Sequence, residues 1–288
     1  MTLSIRKSSL YLIILITCIS CCESVHATGS DLSPVYIPPN PDADKSRLEA
    51  GEADFTNRGE SVRGERVRGT LRGTRGATSM SESLTEDLSQ MIVTNLKGKK
   101  ISKSKKVIFP KRLVPIASEQ TGFTSNSQPN LYWYISAQYQ GTMEFKLLDR
   151  QDTQPVMSVK LTGSPAEGIY GLKLREYNVQ LKPGIEYEWF ITIITDPQER
   201  SGDIYASATI MYVEPSNDLN DKFNTASLEQ RYYVYAKNGY WYDSISSLSS
   251  LIEQYATTKK YRLHRAALLK QVNLTKVARY DLSLVNIP

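Results

Sequence analysis

The hydrophobic pattern is clearest after residue 182. Pro183-Gly184 signals a turn, because proline presets φ and glycine accepts a positive φ. Residues 186–195 then alternate strictly: Tyr187, Trp189, Ile191 and Ile193 fall on one face, and Glu186, Glu188, Phe190, Thr192 and Ile194 on the other. A period of two in aromatic and β-branched residues predicts a half-buried strand. Asp196-Pro197 stops it, a polar loop runs to Asp203, and residues 204–213 alternate again up to Glu214-Pro215. The pair is expected to be the central hairpin of an antiparallel sheet.

Other apolar runs bounded by turn residues occupy 131–136, 143–148, 156–161 and 169–174, with 122–129 reading as a loop. The segments 107–110 and 112–115 each end in proline, which cannot donate to a ladder, and read as edge pieces. About seven short strands with this spacing predict an immunoglobulin-like β-sandwich over 107–215. Beyond Pro215 the period becomes helical. Leu219, Phe223, Leu228, Tyr232, Tyr235 and Ala236 form one helical region, and Asn238-Gly239 ends it. A second helix starts near Trp241 with Ile245, Leu248, Leu251, Ile252 and Tyr255 on one stripe. A third spans 261–272, with Leu263, Ala267, Leu268 and Val272 inward and His264 on the polar side. The fold class is thus mainly β with a helical C-terminal part, 216–288, of about three helices.

The first 106 residues lack such patterning. Arg6 and Lys7 precede an apolar run of thirteen residues, 10–22, and Val25-His26-Ala27 supplies small residues at the spacing of a cleavage site. This predicts an export signal over 1–27. The alternative is lipid attachment at Cys21, although Cys18 stands where a lipidation site has an aliphatic residue. From 28 to 106 a proline-rich opening, five Arg-Gly steps between 58 and 76, and a lysine run at 97–106 read as a disordered basic arm. Arg-Gly tracts suit RNA, but export argues against nucleic acid. The arm fits instead a tether or peripheral contact with anionic envelope polymer or lipid.

Composition adds two constraints. The chain has 288 residues, net charge +5, and 18 tyrosines against six phenylalanines. All three cysteines, at 18, 21 and 22, lie inside the expected signal, so the mature chain has no disulfide or thiolate chemistry. With His26 removed, His264 remains alone, which excludes a zinc site built on several histidines and a His-based triad with a second candidate.

The motifs LYWYIS, EFKLLD and PVMSVKL, then Lys182-Pro183-Gly184 with YEWF, DPQERSGD and AKNGYWYD, resemble the DUF928 family over about 113–281. The resemblance implies an exported bacterial protein, often cyanobacterial, with no assigned activity.

Two clusters remain as candidate binding sites. Asp196, Glu199, Arg200 and Asp203 concentrate charge in the hairpin loop. They could hold Ca²⁺, but they lack the EF-hand pattern and Arg200 would repel the ion, so no metal or cofactor is expected. The plainer reading pairs Arg200 with a neighbouring carboxylate. Tyr240, Trp241, Tyr242 and Asp243 could anchor a partner; alternatively Asp243 caps the second helix while the aromatics wedge it against the sheets. The expected function is a non-enzymatic binding protein of the bacterial envelope, recognising an envelope protein or an anionic envelope polymer. The alternatives are a polysaccharide hydrolase using carboxylates such as Glu186 and Glu188, and a structural protein tethered by its arm.

Overall fold

The computed structural model describes residues 32–50, 109–152 and 154–285. The expected signal, the Arg-Gly steps and the lysine run lie outside the described residues. The eight described strands are β1 (Leu113–Pro115), β2 (Gly122–Thr124), β3 (Asn130–Ile135), β4 (Thr142–Asp149), β5 (Pro155–Thr162), β6 (Gly168–Lys173), β7 (Glu186–Ile193) and β8 (Ile204–Tyr212). They form two sheets, ordered β1-β3-β6 and β2-β8-β7-β4-β5. The predicted hairpin is β7–β8, and it is central in the larger sheet. Gly184 takes φ 73° in the turn before it, as a glycine after proline should.

Register explains why this hairpin organises the core. Trp189 and Ile191 lie opposite Ala208 and Ala206 on one side. On the other they lie opposite Leu147 and Phe145 of β4. Large side chains thus face small residues across one ladder and apolar residues across the next, and the Phe145 and Trp189 rings stack at 6.0 Å. The expected loop at 122–129 is a strand at its start. β2 lies parallel to β8, with Phe123 opposite Met211. Three residues are too few for a period to show.

The helical part contains five helices: α1 (Asn217–Thr225), α2 (Arg231–Lys237), α3 (Trp241–Gln254), α4 (Lys259–Gln271) and α5 (Thr275–Val285). The single region expected over 219–236 is broken at Ala226, which is extended at φ −65°, ψ 136°. The break folds α1 back so that Phe223 packs on Tyr235 at 4.4 Å and on Tyr240 at 5.4 Å. The end at Asn238-Gly239 is as expected: Gly239 has φ 82°, and the Tyr240 N–H reaches back to the Tyr235 carbonyl at 3.0 Å. Beyond the three helices expected, α5 follows, set off by Asn273 at φ 61°.

The α4 stripe is rotated from the expected one. Leu263 is 44% exposed, whereas His264 and Arg265 are buried. His264 is tolerated inside because the Tyr232 hydroxyl lies 2.7 Å from Nδ1. Arg265 is tolerated because Nε and Nη2 both donate to the fully buried Asp281 carboxylate of α5 at 2.7 Å, while Nη1 donates to Ser249 of α3 at 3.0 Å. A buried ion pair with its donors satisfied avoids the cost of an uncompensated charge. No helix among the described residues is long and apolar enough to cross a membrane.

The expectation of a disordered arm fails for residues 34–50. This segment is a strap lying in the same compact unit as the sheets and helices. Leu48 exchanges two backbone hydrogen bonds with Ser207 of β8 at 2.7 and 3.0 Å, and Ala50 exchanges two with Leu113 of β1 at 3.0 and 3.1 Å. The strap therefore pairs with one strand of each sheet. Tyr36, Leu48 and Ala50 are buried, and Arg47 donates to the Ala117 and Val272 carbonyls. Few but well-placed apolar residues, with the strap's backbone groups paired, offset an ordering cost that composition alone suggested could not be met.

Truncating the strap's anchor should therefore act on the whole fold. Leu48→Ala is expected to lower unfolding free energy by about 2–5 kcal/mol, the range for deleting a buried leucine side chain. Urea denaturation followed by tryptophan fluorescence reads it, and an unchanged midpoint would show the strap to be a passenger.

Candidate functional site

The hairpin loop is built as an exposed turn clamped to the sheet. A short 3-10 turn, Arg200–Gly202, follows Glu199, whose carboxylate accepts the Ser201 N–H at 3.1 Å. Asp196 accepts the Gln198 N–H at 2.8 Å. Asp203 accepts the Thr195 N–H at 3.2 Å and also pairs with Arg200 Nε. Arg200 then reaches outside the loop, where its Nη2 donates to Glu144 of β4 at 2.8 Å. The plainer reading of these residues is the one observed. Among the described residues no group of three or more His, Cys, Asp or Glu side chains could hold a metal ion.

Glu144 was not visible from sequence as part of this site, because its partner lies 56 positions away. It is only 8% exposed on the outward face of the larger sheet, where Lys146 pairs with it at 3.1 Å and the Ser158 hydroxyl at 3.2 Å. Burial alone would raise its pKa, but the hydrogen bonds and charges of Arg200 and Lys146 outweigh it and hold the carboxyl below its ordinary range. The same two carboxylates, Glu144 and Asp203, keep the Arg200 guanidinium protonated more firmly than usual.

The second predicted cluster is not a surface. Tyr240 is 4% exposed, Trp241 0% and Tyr242 1%. Trp241 Nε1 donates to the Ile116 carbonyl at 3.1 Å, and the Tyr36 ring of the strap meets Trp241 edge-on at 4.9 Å. Tyr242 accepts a hydrogen bond from Trp189 Nε1 at 3.0 Å and donates to the Thr209 carbonyl at 2.8 Å. These residues wedge α3 against the larger sheet, so their role as a recognition surface is withdrawn. Burial of three rings brings more stability there than exposure could.

Nor does Asp243 cap α3. The residue at the N-cap is Tyr240, without a side-chain cap bond, and Asp243 sits in the first turn. Its carboxylate accepts the Ser125 N–H at 2.9 Å and the Ser125 hydroxyl at 3.0 Å, which fastens the chain after β2 to the helix. Burial pushes its pKa up to about 6, with the Ser125 bonds acting in the opposite direction. The two predicted clusters therefore sit toward opposite ends of β8, the loop before Ile204 and the Asp243 link beside Tyr212, and do not form one site.

The outward face of the larger sheet was not singled out from sequence either. Across it, Ser158, Lys146, Phe190 and Ser207 stand in one row on β5, β4, β7 and β8. Lys160, Glu144, Thr192 and Tyr205 form the next row. The Phe190 and Tyr205 rings are half-buried with centroids 6.1 Å apart, and the Ser207 hydroxyl donates to Glu188 at 3.0 Å. Glu186 accepts from Thr121 at 2.6 Å and pairs with Arg150 at 3.0 Å.

The family model described as Domain of Unknown Function (DUF928) matches residues 96–282. The chain belongs to the DUF928 family. The family match includes the hairpin, its loop and the α3 wedge; the strap at 34–50 lies before it. No curated protein matches this DUF928 chain. Among solved structures, a chain from a crystal structure of a multi-domain immunophilin from Arabidopsis thaliana is 10% identical. It covers 61% of this chain and 93% of its own, with a TM-score of 0.16, too low to carry any argument about fold or function.

Two outcomes are expected from the wedge. Tyr242→Phe leaves the buried Trp189 N–H without its acceptor and should cost about 1–3 kcal/mol in urea unfolding; no change would mean the bond contributes nothing net. The folded pKa of Asp243 is raised, so its stabilising contribution is full below the ordinary value of 3.8 and is lost as pH rises through about 6. The stability of wild type relative to Asp243→Asn should therefore fall from pH 4 to pH 7, by roughly 2 kcal/mol. A flat difference across that range would show that the carboxylate is not held in this way.

Proposed function

We propose that this DUF928 protein is an exported, non-enzymatic binding protein of the bacterial envelope, with the loop at 196–203 as a recognition surface. The observation that carries the reading is the Arg200 clamp. The loop is exposed at Asp196, Glu199 and Arg200, yet Arg200 ties it to Glu144 on the sheet and to Asp203 at its own base. A loop held this way loses little conformational freedom on binding, which favours association without new contacts. The two sheets are read as an immunoglobulin-like sandwich, in which end loops commonly carry recognition while the sheets hold them in place.

The hydrolase reading has less support. A proton donor for glycoside cleavage needs a raised pKa, whereas Glu144 is held below its ordinary range by two cations. Glu186 and Glu188 are each engaged by a neighbouring hydroxyl, and Glu186 by Arg150 as well. These are arrangements that fix a structure rather than leave an acid poised for transfer.

The test is cross-linking in living cells with recovery of the protein and mass spectrometry of what accompanies it. The comparison is wild type against a variant carrying Asp196→Ala, Glu199→Ala and Arg200→Ala, whose thermal melt establishes that the fold survives. Recovery from the extracytoplasmic fraction, with a partner captured by wild type and lost in the variant, is the expected result. Recovery from the cytoplasm, or captured material identical in both, would overturn the proposal.

A further inference from the structure

The outward face of the larger sheet has a composition that structural needs alone do not explain. An exposed antiparallel face usually carries scattered polar residues. Here a phenylalanine and a tyrosine, Phe190 on β7 and Tyr205 on β8, lie diagonal to one another with ring centroids 6.1 Å apart and an interplanar angle of 52°. Both residues are half-buried, neither closed off from solvent. The groups around them are rich in hydrogen-bonding capacity. Glu188 is two residues from Phe190 on the same face and Lys146 lies opposite Phe190, while Ser207 on the other side is buried and serves to hold Glu188.

Charge decides which partner such a face suits. The ionised groups around the rings are of both signs: Glu144 holds Lys146 at 3.1 Å and Arg200 at 2.8 Å, Lys160 lies opposite Glu144, and Glu188 accepts the Ser207 hydroxyl at 3.0 Å. A polyanion or polycation would meet neighbouring charges of both signs and gain little from a face so balanced. A neutral partner with many hydroxyls keeps these pairs intact, donating to remaining carboxylate lone pairs and accepting from the ammonium. The rings ask for the complementary feature, a C–H-rich surface that can lie against an aromatic face. A stable protein interface of standard size would need an apolar centre larger than one ring pair.

We propose that the Phe190–Tyr205 face binds a neutral polysaccharide, with pyranose rings packed on the two aromatics and their hydroxyls bonded to Glu188 and Lys146. This rests on the binding reading above and supplies the chemistry of one partner. It adds a second surface, beside the clamped loop, on the sheet that the Arg200–Glu144 pair joins to it.

The purified full chain is run by affinity electrophoresis in gels containing hydroxyethyl cellulose, soluble starch, galactomannan or xylan, with dextran sulfate as the charged control. Retardation by at least one neutral polymer, unchanged by added salt, is expected. Phe190→Ala and Tyr205→Ala should each weaken it about tenfold or more, Phe190→Tyr should retain it, and Lys222→Ala, an exposed change on α1, should bind like wild type. Melting curves establish that each variant is folded. Retardation by none of the four neutral polymers overturns the proposal, as does binding undiminished in both alanine variants or confined to dextran sulfate and abolished by salt. Failure here with a loop-dependent partner still captured in cells removes only the polysaccharide. Glucan binding with no captured partner removes the loop instead.

Discussion

The structure turns on a two-step hydrogen-bond relay that starts at Trp189. Its indole N–H donates to the Tyr242 hydroxyl, which donates in turn to the Thr209 carbonyl, so one buried phenol joins β7, α3 and β8. Neither ring has appreciable exposure, which makes the relay obligatory: an indole N–H in that position without an acceptor would carry its desolvation cost unrelieved. Satisfying it brings Trp241 down beside Ile116 and gives the strap's Tyr36 a ring to pack on. The sheets, the helical part and the strap therefore share one buried cluster, which is continuous across residue 215.

Tyr36 shows what this close packing costs. Its ring is 8% exposed, and its buried hydroxyl makes no hydrogen bond of ordinary geometry among the described residues, with Ser118 the polar side chain beside it. Burial pushes the phenol up to about 12, with the neighbouring Ser118 opposing the shift. The ring is kept for its packing on Trp241 while the hydroxyl is a liability. The strap as a whole is held by backbone pairing and by the Arg47 guanidinium, not by a continuous apolar face.

How much of this could be read from sequence follows from the range of the interactions. The β7–β8 hairpin was legible because Pro183-Gly184 and strict alternation are local signals. The Asn238-Gly239 stop was legible for the same reason. The strap was not, since its buried residues, Pro34, Tyr36, Leu48 and Ala50, fall in two separate pairs too short to show a period, and their partners lie far along the chain. The phase of α4 was misread because His264 and Arg265 count as polar by type, while Tyr232, Asp281 and Ser249 make them interior residues. Both candidate sites divide on the same line. The loop's charges and turn residues are adjacent, so its internal bonds could be anticipated, but its clamp to Glu144 could not. The Tyr240–Asp243 cluster announced a concentration of aromatics without saying whether they face solvent or core.

That distinction between local and distant partners also bears on where the two proposed surfaces sit. Rings whose polar atoms find acceptors inside, as Trp189, Trp241 and Tyr242 do, are drawn into the core. Phe190 on β7 and Tyr205 on β8 stand on the sheet face opposite to Trp189, because alternation places them outward whatever their hydrophobicity. The sheet that buries one aromatic set must display the other. Charge matching around the displayed set then keeps the face polar and nearly neutral, and the Arg200–Glu144 pair couples it to the end loop. A face with these properties requires only the register of β4, β7 and β8, so the proposed binding would depend on the same ladder that holds the core.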